Sequence, residues 1–193
     1  MSEPIINRRK FFPINVLKSY GYSQYQINKF VDGGKLAKIN NKTYENLEFD
    51  GEDSDFYYAY AFVPRGVVCL LSAAVYYNLT TFRPDTIDVA IPRKARVSTL
   101  PEWPSITLRY FTDYRFEKGI VTIDNDGNLF RIYDIEKTVC DIIHYRNLVG
   151  IEETREILTN YLALKRRNLN KLVRYAEELK CGDILKTYLE VLI

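Results

Sequence analysis

From Asp134 onward the apolar residues recur at helical spacing. The stripes are Ile135, Val139, Ile142 and Ile143; then Ile151, Ile157, Leu158, Tyr161 and Leu162; then Leu169, Leu172, Val173 and Ala176; then Ile184, Leu185, Tyr188 and Leu189. Each stripe covers one side of a 3.6-residue turn, so four amphipathic helices are expected to close the chain. Before Asp134 the pattern is shorter and β-like. FYYAYAFVP at 56–64 is aromatic and β-rich, and strands fit Thr86 to Ile91 and Ile106 to Phe111. A hairpin fits Gly119 to Asp124 with Leu129 to Tyr133, turning at Asn125-Asp126-Gly127. Gly66 to Phe82 is free of charge but contains Ser72, Asn78, Thr80 and Thr81 and falls short of a membrane span, so it reads as a buried strand-to-helix segment with a short helix near Ser72 to Asn78. Strands followed by helices make this part of the chain α+β, a mixed sheet with a C-terminal helical bundle.

The first 48 residues carry a different set of local signals. Pro13 suits a first helical position, Val16, Leu17 and Tyr20 share a face, and Gly21 supplies a stop. Ser23 with Gln26 three residues later forms a capping box ahead of Ile27, Phe30 and Val31, and Gly33-Gly34 ends that second helix. Strands at Leu36 to Asn40 and Thr43 to Leu47 are joined through Asn40-Asn41-Lys42, where Asn is able to take the positive φ of a tight hairpin. Helix, turn, helix and hairpin in that order predict a winged helix-turn-helix.

Charge sharpens the division. The whole chain has 27 basic and 25 acidic side chains over 193 residues, which excludes a uniformly basic coat. Residues 1–44 nevertheless hold eight Lys or Arg against Glu3 and Asp32 alone, and residues 45–55 hold six acids and no base. The expected organisation is a DNA-binding head over 1–48, an acidic hinge over 49–55 and an α+β body over 56–193. Apolar residues make up 47% of the chain, enough for a core in each part.

Several chemistries find no support. Cys69, Cys140 and Cys181 lie far apart with His144 as the only imidazole, which argues against a zinc ribbon or a disulfide framework and fits buried thiols in a reducing, cytoplasmic compartment. Arg8, Arg9 and Lys10 interrupt the place where a signal peptide needs apolar residues. His144, about half a turn from Ile135, is expected to face solvent, and no G-x-S-x-G motif accompanies it. Asp53-Ser54-Asp55 and Asp124-Asn125-Asp126 lack the partners of a metal site, Pro84-Asp85 has no well-spaced Glu-x-Lys following it on a strand, and no glycine-rich phosphate loop is present. The chain is therefore expected to be no enzyme and to need no cofactor or metal.

The functional geometry lies on the second helix. Opposite its apolar stripe stand Tyr25, Lys29 and Asp32, flanked by Gln26 and Asn28, and in a helix-turn-helix the N-terminal part of this helix enters the major groove. Candidates for DNA contact are Ser23, Gln24, Tyr25, Gln26, Asn28 and Lys29 on the helix, Lys35, Lys38 and Lys42 on the wing and its approach, and Arg8, Arg9 and Lys10 as a flexible arm. Two basic clusters remain in the body, Arg93-Lys94-Arg96 in a loop and Lys165-Arg166-Arg167 at a helix end.

Taken together, FPINVLKSYGYSQYQINKFVDGGKLAKINNKTYEN, GVVCLLSAAVYYNLT, TIDVAIPRKAR and IYDIEKTVCDIIHYR resemble, in order and spacing, the AbiE-type (AbiEi) antitoxins of type IV toxin–antitoxin systems, the bacterial abortive-infection regulators of phage defence. Gly34, Leu36 and Tyr44 match the family's wing pattern, while Asn41 or Lys42 stands where a wing glycine is common. The resemblance implies a repressor that binds inverted repeats of double-stranded DNA in its own promoter. It also implies an antitoxin that counteracts a nucleotidyltransferase-like toxin without a stable complex and without a membrane. It would place DNA contact on Gln24, Tyr25, Gln26, Lys29, Lys38 and Lys42 and the antitoxin surface on Arg93, Lys94 and Arg96. The alternatives are a general winged-helix regulator, or a toxin-modifying enzyme with a DNA-binding head.

Overall fold

The structure, a computed structural model, describes residues 8–192. It is α+β, with two separate sheets among the described residues.

The first sheet contains β1 (Phe11–Pro13), β2 (Leu36–Asn40) and β3 (Thr43–Asn46) in the order β1-β3-β2, all antiparallel. Helices α1 (Ile14–Ser19) and α2 (Gln24–Asp32) pack on it through Phe12, Leu17, Ile27, Leu36 and Tyr44. The second helix begins where the capping box predicts: the Gln26 amide donates to Ser23 Oγ, and Gln26 Oε1 accepts from the Ser23 amide at 2.8 Å. The β2–β3 hairpin is present, but neither Asn40 nor Asn41 takes a positive φ. Asn40 Oδ1 instead accepts from the Lys42 amide at 2.8 Å, and a bulge between Lys38 and Asn40 absorbs the twist that a left-handed residue would otherwise supply. Strand β1 follows directly on the expected arm and takes in Pro13, expected as the first residue of a helix but standing just before α1, and its register sets Phe12 opposite Tyr44 with both rings buried.

The second sheet has five strands, β4 (Val67–Val68), β5 (Ile87–Pro92), β6 (Ile106–Phe111), β7 (Ile120–Asn125) and β8 (Asn128–Tyr133), in the order β6-β5-β4-β8-β7. Pairs β4–β8 and β5–β6 are parallel, whereas β4–β5 and β7–β8 are antiparallel. Alternation along the strands sends side chains to opposite faces. Val68, Val89, Ile91, Phe130 and Ile132 join one buried cluster, and Val67, Ala90, Phe111 and Tyr133 join the other. The β7–β8 turn follows from its sequence: Asn125 pairs with Asn128, and Asp126 and Gly127 between them both have positive φ, the requirement of a two-residue hairpin of this twist.

The first face is covered by α3 (Asp55–Phe62). This corrects the strand expected at 56–64. Ser54 caps the helix by accepting from the Phe56 amide, and the aromatic composition that suggested a strand instead makes a helix that packs on nearly every side, between sheet and head. On the other face lie α4 (Leu70–Tyr76), α6 (Ile135–His144), α8 (Ile151–Ala163), α9 (Leu169–Glu178) and α10 (Gly182–Leu192), with the short α5 (Asp113–Glu117) and α7 (Arg146–Val149). The four helices expected after Asp134 are all present, and α7 is an additional turn. Helix α6 is the centre of this layer: every residue from Glu136 to Ile143 is buried. His144, expected in solvent, is half-buried against Tyr145, because α6 is covered on all sides, and burial, reinforced by the Arg115 charge, lowers its pKa.

Within α6, Asp141 Oδ1 accepts from Arg115 Nη1 at 2.7 Å, and Lys137 Nζ contacts Asp141 Oδ2. The Lys137 ammonium also sits 4.0 Å from the centroid of the Tyr133 ring. Gly119, at φ +74, passes directly over this cluster, and a Cβ there would lie 2.7 Å from Lys137 Cβ. Gly119→Ala combines left-handed strain with overpacking, so a loss of about 2 to 4 kcal/mol is expected. Urea unfolding checks it; a midpoint equal to that of the unmodified chain would disprove the reading.

Candidate nucleic-acid interface

The exposed side of α2 displays Gln24, Tyr25, Asn28 and Lys29, while Ile27 is fully buried beneath them. Tyr25 is 78% exposed, a large aromatic projecting from the first turn of the helix. Gln24 Nε2 donates to Asn28 Oδ1 at 3.0 Å, one helical turn away, so these two amides are held together on the surface. Ser23 and Gln26 are exposed as well, but they face each other across the capping box, and Gln26 Oε1 accepts from both the Ser23 amide and its hydroxyl. Their primary work is to start the helix.

Among the cations, Lys29, Lys38 and Lys42 are exposed, and Lys38 and Lys42 flank the β2–β3 turn. Lys35 is half-buried and pairs with Glu48 at 3.6 Å. Arg8 is exposed and Arg9 half-buried.

Lys10 departs from the flexible-arm reading. Its Nζ lies 3.1 Å from Asp53 and 3.3 Å from Glu45, beside the rings of Phe49 and Tyr58. Burial opposes its charge, but hydrogen bonds and charges from Asp53, Tyr58 and Glu45 outweigh burial and raise its pKa. Tyr58, which donates to Glu45 at 2.9 Å, is pushed up to about 12 by burial and by that carboxylate. The backbone around Lys10 is fixed too: its amide donates to Asn128 Oδ1 at 2.6 Å, and Asn128 Nδ2 donates to the Arg8 carbonyl at 2.8 Å. The acidic segment is largely solvated, yet its Asp53 clasps the first residues of the head to the body. Asn128 was not singled out in the sequence; its place right after Asp-Gly marks it as a turn-flanking residue, with no signal that its amide would reach 118 residues back.

In the body, Arg93, Lys94 and Arg96 are exposed in the turn after β5. The loop carrying them is anchored, since the Arg93 amide donates to the Phe111 carbonyl and Ala95 and Val97 pack on the core. Lys165, Arg166 and Arg167 are exposed between α8 and α9. Cys69, Cys140 and Cys181 are buried free thiols. Among the described residues no group of three or more His, Cys, Asp or Glu side chains could hold a metal ion, and no helix is long and apolar enough to cross a membrane.

No family model matches the chain, and no curated protein matches it. Among solved structures, the crystal structure of the RV2827C protein from Mycobacterium tuberculosis is similar at a TM-score of 0.47 and 13% identity, over 97% of this chain and 77% of that chain.

Proposed function

We propose that the chain is a DNA-binding autorepressor built on an N-terminal winged helix-turn-helix, and the antitoxin of a type IV system as its sequence resemblance implies. The observation that carries the DNA reading is the outer face of α2. Its polar and aromatic side chains stand in solvent, its apolar side is turned inward with Ile27 fully buried, and its start is fixed by the capping box. A helix so presented suits the major groove, and the β2–β3 turn with Lys38 and Lys42 suits the adjoining phosphates as a wing. DNA carries a dense line of negative charge, so exposed cations supply the affinity and the helix supplies the choice of sequence.

The test is fluorescence anisotropy of the intact chain with duplex from its own upstream region. Lys29→Ala should weaken binding by roughly three- to tenfold through loss of one charge-assisted contact, with the melting temperature unchanged. Equal affinity of variant and parent would remove Lys29 from the interface.

The antitoxin role is assigned to the body, where Arg93, Lys94 and Arg96 project from an anchored loop. Co-expression with a nucleotidyltransferase encoded beside it is the test. Rescue of growth by the parent but not by the triple alanine variant is the expected result; failure of the parent to rescue would discard the antitoxin role.

A further inference from the structure

We propose that Gln24 reads an adenine in the major groove and that Asn28 is the positioning residue that holds its carboxamide for that contact; this rests on the DNA-binding reading of α2. A primary amide offers two N–H donors and one carbonyl acceptor. The bond from Gln24 Nε2 to Asn28 Oδ1, at 3.0 Å, uses one donor. When the N–H that points away from Oε1 makes this bond, the second N–H and Oε1 stand side by side on the same amide edge. That edge is a donor beside an acceptor, the complement of adenine's N7 acceptor and N6 donor. Guanine presents two acceptors there, and cytosine and thymine one polar group each, so none of the three uses both atoms.

The other side chains of the face fit different tasks. Gln26 Oε1 is engaged by Ser23, and Lys29 is a point charge with donors only. Gln24 is the first residue of α2 and exposed, at the end of the helix that enters a groove most deeply. Because Asn28 orients the amide before DNA arrives, less rotamer freedom is lost on binding.

The experiment is selection of binding sites from a random duplex library by the full chain, followed by affinities on matched duplexes that differ at the selected position. The parent chain should select adenine at one position per half-site. Gln24→Glu replaces the donor with a second acceptor, which pairs with cytosine N4, so preference should move from adenine to cytosine by about tenfold. Asn28→Ala should flatten the adenine preference severalfold at unchanged melting temperature. Asn28→Asp, which keeps an oxygen acceptor for Gln24, should retain the preference while lowering affinity for all duplexes. An adenine preference that survives Gln24→Ala, or no movement towards cytosine in Gln24→Glu, overturns the inference and leaves DNA binding intact. Absence of salt-sensitive binding to any duplex overturns both.

Discussion

Asp141→Ala should destabilise the protein by about 3 to 5 kcal/mol, enough to unfold a domain of ordinary stability. Asp141 has no exposed side-chain surface, and its two oxygens face two cations: Arg115 on one side and the equally buried Lys137 on the other. Arg115 also donates to the Leu179 carbonyl at 2.6 Å, so the cluster ties α5, α6 and the end of α9 together. Removing the carboxylate leaves two positive charges in a site with little water to screen them. Burial already pushes the Lys137 pKa below its ordinary value even with Asp141 beside it. The asymmetry of buried ion pairs supplies the control. Lys137→Met removes one cation, leaves Asp141 paired with Arg115 and fills the same space beside Tyr133, so it should change stability by only about 1 kcal/mol in either direction. Urea titration followed by far-UV circular dichroism measures both. If Asp141→Ala were no more damaging than Lys137→Met, the carboxylate would not be the hub.

Raising salt from about 50 mM to about 200 mM should weaken promoter binding about a hundredfold per bound protomer, given roughly 0.9 counterions released per phosphate neutralised. The estimate counts four exposed cations, Arg8, Lys29, Lys38 and Lys42. It leaves out Lys10, which already has two carboxylate partners, and Lys35 and Arg9, which are half-buried. If those three also reached phosphates, the same salt step would cost several thousandfold. The slope of log affinity against log salt therefore separates an arm wrapped on DNA from an arm fastened to protein. A slope near −6 would overturn the fastened arrangement, and a flat response would remove phosphate contact altogether.

The parts of this structure that were legible in the sequence are those decided by neighbours in the chain. Ser23 and Gln26 start α2 by bonding each other, Asp126 and Gly127 turn the β7–β8 hairpin by their own backbone preferences, and the late helices carry their stripes openly. The illegible parts are decided from afar. Strand β4 is two residues long and becomes central only because β5 and β8 arrive on either side. Strand β1 ends in a proline and exists because β3 pairs with it across some thirty residues. Helix α3 presents strand-like composition, and only the Ser54 cap and the surfaces around it favour a helix. The same division runs through the candidate interface. Gln24, Tyr25, Asn28 and Lys29 stand outward as helical geometry requires, whereas Lys10 is withdrawn by acids at positions 45 and 53 that no local pattern connects to it.

Asn128 grips the Arg8 carbonyl and the Lys10 amide from beside the turn of a hairpin whose other strand, β7, is the outer edge of the five-stranded sheet. That hairpin holds the residues leading directly into β1, and β1 in turn borders β3, one of the two strands of the proposed wing. The sheet edge and the proposed wing are therefore joined by a run of hydrogen-bonded contacts that does not pass through the acidic segment. If DNA seated on the proposed wing shifts that run of contacts, thermodynamic reciprocity requires whatever binds β7 to change the affinity for DNA by the same factor.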